Sequence, residues 1–514
     1  MEQTEILKVE NLTKIYPGGV LANFEINFSV RRGEIHALVG ENGAGKSTLM
    51  KCLFGIEEIT SGRIFLDGKE VVFATSQDAI AAGIGMVQQN MMLVPSMTVA
   101  ENLVLGIEHR KGLFIDRQRC IKDTKEISAR FNLPVDSEKR VRDISVGMKQ
   151  KLEILKTMYR GARIIILDEP TAVLAPQETE ELFEELRKLK EQGYTIIFIS
   201  HKLGEVKSLC DRLTVLKTGR TLGTWDLSDV SVKEISRLMV GRELGFSYTK
   251  SGSSGRELIL EVQNLAYTDK FGSQKLRGVN FTLAKSEILG IAGIEGNGQL
   301  ELMNILTGNM KADSGEFHFK GKNITGLSTT GIRRMGIAHI SEDRFFNGSA
   351  PDLSIRDNLI ATAIRQLTGS FGLLDQAAIE RYCDTCVQNY QIVLSSLKAP
   401  LKSLSGGNIQ KTIVAREFSS GAELIMLNQP TRGVDVGAME FIHKKILEMR
   451  EKSRSMILVS ADLSELKALS DRIIVLYRGM VAGLVDDVSS VTDEELGFYM
   501  LGLKTDSPER LACA

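Results

Sequence analysis

Residues 40–48 read GENGAGKST, a glycine-rich loop ending in a lysine and two hydroxyls. Glycines in such a loop let backbone N–H groups turn inward around phosphate oxygens, and a helix starting at its end adds the positive end of its dipole. Lys46 is placed to reach the β- and γ-phosphates of a nucleoside triphosphate, and the Ser47 hydroxyl to ligate Mg²⁺. Gly40, Glu41, Asn42, Gly43, Ala44, Gly45, Lys46, Ser47 and Thr48 are therefore the expected cradle for ATP. A second constellation is RIIILDEP at 163–170, where four apolar residues run into adjacent carboxylates. Asp168 fits a metal-holding acid, and Glu169 a base or water-positioning residue for attack on the γ-phosphate. An apolar strand ending in acids is common by itself. Together with the glycine loop it points to chemistry on Mg·ATP.

The elements that must position these residues follow from hydrophobic pattern. EIHALVG (34–40), RIIILD (163–168), YTIIFIS (194–200) and RLTVL (212–216) are short apolar runs that predict buried strands. STLMKCLFG after the loop reads as a helix. ETEELFEELRKLKEQG (178–193) places Leu182, Leu186 and Leu189 on one helical face and ends at Gly193. Strands alternating with helices predict an α/β core with a parallel sheet.

The pattern is written twice. LKVENL at 7–12 matches LEVQNL at 260–265, an offset of 253 that also relates GENGAG (40–45) to GIEGNG (293–298) and Gln89 to Glu342. Farther on, Ser145 matches Ser405, Asp168 matches Asn428 and DRLTVL (211–216) matches DRIIVL (471–476), all at an offset of 260. The second copy thus carries seven extra residues between Glu342 and Ser405. GFSYTKSGSSGRE, rich in Gly and Ser, reads as a linker. The expected organisation is a first domain at 1–244, a linker at 245–257 and a second domain at 258–514.

Composition narrows the remaining classes. The 514 residues carry 64 Lys+Arg against 65 Asp+Glu, a net charge of −1 without the broad basic surface of a nucleic-acid-binding protein. No run approaches the ~18 consecutive apolar residues of a membrane span, and the charged start MEQTEILKVE is unlike a signal peptide, so a cytosolic chain is expected. Six cysteines fit a reducing compartment. Cys383 and Cys386, three apart in a helical pattern, are expected to pack in a core, because no second pair follows to complete a metal site.

SVGMKQ (145–150) and LSGGNIQ (404–410), taken with the loop and the acids, resemble the signature sequence of ATP-binding-cassette ATPases, and the resemblance spans nearly the whole chain. It implies two tandem P-loop cassettes, each with a mainly parallel core sheet, an antiparallel β region and a helical signature subdomain. By the same resemblance Gln89 is a Q-loop residue that senses Mg²⁺ and contacts a permease, and His201 is a switch histidine near the γ-phosphate. Tyr16 stacks on adenine. In the family each nucleotide lies between two domains, one giving the loop and acids, the other the signature. The resemblance therefore assigns Ser405, Gly406, Gly407, Gln410 and Asp435 to the nucleotide bound by the first half, through intramolecular pairing of the halves.

The second copy departs from the pattern. Gln299 stands at the position of Lys46, Leu300 at Ser47, Asn428 at Asp168, Gln429 at Glu169 and Ala461 at His201. The first copy departs in its signature, with Val146 where the second has Gly406, and Ala175 where the second has Asp435. All of these losses fall in one composite site, so one hydrolysing and one degenerate site are expected. The fused layout and TRGVDVGA (431–438) resemble bacterial monosaccharide importers, and SVGMKQKLEILKTMYRGA (145–162) and GIEGNGQ (293–299) resemble the purine-nucleoside branch of that group. The partners so implied are two permease subunits at the cytoplasmic face of the cell membrane and, through them, an extracytoplasmic substrate-binding protein, with no nucleic acid. Another ribose-containing substrate such as a flavin, and a soluble twin-cassette ATPase acting on ribosomes or nucleic acid, are the alternative readings.

Overall fold

The computed structural model describes residues 4–17, 19–41, 43–89, 91–112, 114–172, 174–200, 202–240, 257–270, 272–369 and 372–511. Chain contacts divide it into two compact units, Met1–Gly245 and Phe246–Ala514. The expected linker at 245–257 lies outside the described residues except for Glu257.

In the first unit a six-stranded sheet runs in the order Arg220–Asp226, Arg212–Lys217, Ile35–Gly40, Thr195–Ile199, Ile164–Asp168, Ile84–Val87. All neighbours are parallel except the hairpin of the first two. Ile164, Ile165, Ile166 and Leu167 are all buried, each stabilising the sheet by about 1.5–3 kcal/mol. That apolar run carries Asp168 to the carboxyl end of its strand, at the same end of the sheet as Gly40, from which the glycine loop departs, with only Thr195–Ile199 between the two strands. A four-stranded antiparallel sheet, Val20–Arg31, Glu5–Tyr16, Ser61–Leu66 and Lys69–Val71, forms the β region. Helices Val99–Leu103, Arg117–Phe131 and Val146–Tyr159 supply the helical part, sharing one core through Val99, Leu103, Ile127, Phe131, Leu152 and Leu155.

The second unit repeats the plan. Its core sheet runs Ile337–Ile340, Leu424–Asn428, Ser455–Val459, Ile288–Ala292, Arg472–Tyr477, Met480–Val485. Helices Ile355–Ile360, Gln376–Asn389 and Gly406–Phe418 pack together. Cys383 and Cys386 are buried in that core as free thiols, as their spacing predicts, and burial pushes the Cys383 thiol up to about 11. Among the described residues no cluster of three metal-binding side chains is present, and no helix is long and apolar enough to cross a membrane.

The helix expected at 178–193 runs instead from Pro176 to Glu191. Proline fits its first turn, and the Glu178 carboxylate accepts the Ala175 N–H at 3.1 Å, so the start moves two residues upstream.

Candidate functional site

The glycine loop leaves the strand Ile35–Gly40 and ends on the helix Lys46–Leu53. Gly45 caps that helix at φ 94 with no side-chain acceptor, so the first N–H groups of the helix are left for a ligand. A Cβ at Gly45 would sit 2.4 Å from Asn23 Nδ2 and 2.6 Å from the Ala22 carbonyl oxygen. Only glycine fits there. Lys46 is buried, and its ammonium donates to the carbonyls of Gly40 at 2.7 Å and Glu41 at 2.9 Å. Burial lowers its pKa, and the nearby charges of Glu169, Asp168 and Glu41 oppose that shift. The Tyr16 hydroxyl lies 3.4 Å from Thr48 Oγ1, which brings the expected adenine platform to the same helix.

Asp168 is buried. Burial raises its pKa, the adjacent Glu169 charge adds to the rise, and a hydrogen bond from Ser47 opposes it. Ser47 and Asp168, the hydroxyl and carboxylate expected to share a divalent cation, are thus already in contact. A buried carboxylate with a hydroxyl against it is a donor pair that suits Mg²⁺. Glu169 follows in a left-handed conformation, φ 51, and Gln89 Nε2 donates to its Oε2 at 2.8 Å. Gly40, Gly43, Ala44, Gly45, Lys46, Ser47, Thr48, Tyr16, Gln89, Asp168 and Glu169 gather at one end of the sheet. His201 and Asn42 lie outside the described residues.

The second unit keeps the backbone and changes the chemistry. Gly298 caps the matching helix at φ 107, and Gln429 has the φ of 51 found at Glu169. Gln299 Nε2 donates to Ile294 O at 3.2 Å, reproducing one of the two loop bonds of Lys46 without its charge. Leu300 is half exposed where the first copy has Ser47, and Asn428 is buried where it has Asp168. Gln429 Oε1 accepts the Ala461 N–H at 3.1 Å. Glu342, at the position of Gln89, forms an ion pair with Arg432.

The two signatures differ in the same way. Ser405 caps the helix Gly406–Phe418, its Oγ accepting the Asn408 backbone N–H at 3.4 Å and Asn408 Nδ2 at 3.0 Å. A Cβ on Gly407 would lie 2.7 Å from Asp435 Oδ2, so the glycine permits close approach of the acid. Asp435 in turn caps the helix Val436–Glu451 through Ala438 N at 2.8 Å. Gln410 Nε2 donates to Pro430 O at 2.7 Å, tying the signature helix to the loop before Asp435. In the first unit Ala175 has no such oxygen. There Glu178 takes its place, and a Cβ on Gly147 would meet Glu178 Oε1 at 2.7 Å. Gln150 Nε2, matching the Gln410 donor, is buried without a hydrogen bond.

Sequence reasoning missed Asn23, which is fully buried and donates to the Gly45 carbonyl at 3.1 Å. The matching residue of the second copy is Leu276. That contrast at an offset of 253 was available as a signal.

The sequence model described as ABC transporter matches this chain twice, at residues 24–172 and 276–432. The chain belongs to the ABC transporter family. Its relatives include the nucleoside import ATP-binding protein NupA of Lactococcus lactis subsp. cremoris, 39% identical over 98% of this chain and 99% of the relative. The guanosine import ATP-binding protein NupO of Bacillus subtilis is 41% identical over 97% of each chain. The glucose import ATP-binding protein TsgD13 of Haloferax volcanii is 40% identical over 98% of this chain and 96% of the relative. As an ABC transporter ATPase the chain binds ATP, and its hydrolysis is coupled to transport. The expected fold, two tandem P-loop cassettes with core sheet, antiparallel region and helical part, is the observed one.

Proposed function

We propose that this chain is the ATPase subunit of an importer, peripheral at the cytoplasmic face of the membrane on two permease subunits that an extracytoplasmic binding protein supplies. One composite site hydrolyses ATP. It is built on Lys46, Ser47, Asp168 and Glu169 and completed by Ser405, Gly406, Gly407, Gln410 and Asp435. The site built on Gln299, Leu300, Asn428 and Gln429 is degenerate. The observation that carries this reading is the division of losses: the copy with the intact loop and acids has the poorer signature, and the copy with the complete signature has lost the loop lysine and both acids.

Ser47, Asp168 and Gln89 would hold Mg²⁺, which when bound supplies charge neutralisation on the phosphates. Lys46 shifts from the Gly40 and Glu41 carbonyls to phosphate oxygens. Glu169 accepts the proton of the attacking water, and Gln89 fixes the carboxylate's orientation through its 2.8 Å bond. Ser405 and the N–H groups of Gly406 and Gly407 grip the γ-phosphate, so ATP joins the halves and hydrolysis releases them.

For the cargo we favour a purine nucleoside, because the relatives at 39% and 41% identity import nucleosides and guanosine; the glucose relative at 40% supports a simple sugar as the second reading. Competitive uptake of labelled guanosine and glucose by cells expressing the chain with its neighbouring permease and binding-protein genes decides between them. Guanosine accumulation lost with Glu169→Gln supports the first reading. Glucose accumulation alone supports the second. ATPase activity that co-purifies with ribosomes and no membrane protein would refute both.

A further inference from the structure

The segment after the strand Ile337–Ile340 occupies, in the second unit, the place of the Gln89 loop, yet it is wired differently. Asp343 folds it into a tight turn: its Oδ1 accepts the N–H groups of Phe345 and Phe346, each at 2.9 Å, and its carbonyl accepts Gly348 N–H at 2.8 Å. Ser349 Oγ closes the turn on the Arg344 carbonyl at 2.5 Å. The turn aims the half-buried Arg344 side chain at two other loops. Nη1 donates to the Gly406 carbonyl at 3.3 Å and Nη2 to the Gly433 carbonyl at 3.1 Å.

Gly433 has φ +66, which favours glycine, and a Cβ there would fall 2.6 Å from Arg344 Nη2 and push the guanidinium aside. The neighbouring Glu342–Arg432 ion pair ties the same two segments together. Three loops are therefore linked: residues 342–349, the start of the signature helix and the loop 431–435.

Neither guanidinium exists in the first copy. The residue matching Arg344 is Met91, and the residue matching Arg432 is Ala172. The cross-links occur only in the unit whose signature is complete.

We infer that Arg344 is a positioning residue for ATP hydrolysis, its guanidinium fork holding Ser405, Gly406 and Gly407 in register with Asp435. It rests on the reading above, that this signature completes the site built on Lys46 and Glu169. A planar fork suits the task because it bonds two carbonyls at once at fixed spacing, whereas an ammonium does so without a fixed plane. On that reading the loop that lost the chemistry of Gln89 acts on hydrolysis through the signature it holds.

The test is steady-state ATP hydrolysis by the full chain. Arg344→Ala is expected to lower kcat by about ten-fold or more, with KM for ATP changed less than about two-fold, because the loop that first binds ATP is untouched. The unfolding temperature should hold, and Arg344→Lys should recover part of kcat. Unchanged kcat in Arg344→Ala overturns the inference. So does a parallel loss of kcat, ATP affinity and thermal stability that Arg344→Lys does not relieve, since that describes a structural prop. Ser405→Arg, measured alongside, separates the two levels. If Ser405→Arg turns over normally, the underlying cross-unit reading fails and the inference falls with it. If it is inactive while Arg344→Ala is normal, only the inference fails.

Discussion

The substitution Glu169→Gln tests the one-site reading most directly. Gln is isosteric with Glu, and its amide oxygen can accept the same 2.8 Å bond from Gln89 Nε2. The left-handed φ of 51 is already occupied by glutamine in the second copy, at Gln429, so the backbone bears no new strain. Stability should therefore change by less than about 1 kcal/mol, within the range of uneventful substitutions. What disappears is the proton acceptor. General-base catalysis contributes about 10²–10⁴-fold, or about 2.7–5.4 kcal/mol of barrier. Phosphate release at saturating Mg·ATP should fall to about 1% of wild type or below, while binding of a fluorescent ATP analogue is kept. Gln429→Glu alone should stay within about two-fold of wild type, because Leu300 and Asn428 still offer no hydroxyl or carboxylate to a metal. The double variant Glu169→Gln with Gln429→Glu should be as inactive as the single one. Turnover above about a tenth of wild type in Glu169→Gln, or recovery in the double variant, refutes the reasoning.

Gly45→Ala places a methyl 2.4 Å from Asn23 Nδ2 and should raise KM for ATP about ten-fold or more, whereas Gly43→Ala, with no atom within 4 Å of its Cβ, bears only the torsional cost of about 1–2 kcal/mol; nucleotide titration compares them. Asp168 has a pKa raised by burial and by Glu169, so the folded chain holds that proton at higher pH than the unfolded chain, and the penalty is full above the raised value and relieved as pH falls through it. Asp168→Asn should therefore abolish ATPase activity yet raise the metal-free unfolding temperature, with an advantage that shrinks in scanning calorimetry as pH falls through the raised value. Glu417 is fully buried, and Arg416 and Arg333 hold its pKa down against burial, with contacts of 2.8 Å to each. Glu417→Ala leaves two guanidiniums without their acid and should cost about 3–5 kcal/mol in denaturant unfolding.

The cradle and its acids were legible because they are contiguous in sequence. GENGAGKST and RIIILDEP each carry their residues on one strand and one turn, so spacing alone placed Lys46, Ser47, Asp168 and Glu169. The strand limits came out within a residue, since Ile164–Asp168 and Thr195–Ile199 are buried apolar runs on a parallel sheet. Contacts across long separations were not legible. Asn23 reaches Gly45 over 22 positions and Arg344 reaches Gly406 over 62, and no local pattern signals either. The helix at Pro176 began early because a side chain three residues in, Glu178, supplied a bond that its first residue could not. In each case the internal repeat held the missing information as an unequal pair: Asn23 with Leu276, Met91 with Arg344, Ala175 with Asp435.

Glu169 and Gln429 share one unusual torsion, each followed by a proline. Only one of them has a carboxylate to use. The bend therefore predates, in a physical sense, the reaction it serves: a parallel strand that must leave the sheet and at once start a proline turn needs that corner whatever side chain sits on it. A corner of this kind works as a fixed mount. It points its occupant past the end of the sheet at no added expense to the fold, and so the occupant can be exchanged freely. Glutamate on one mount and glutamine on the other leave the two corners at the same torsion.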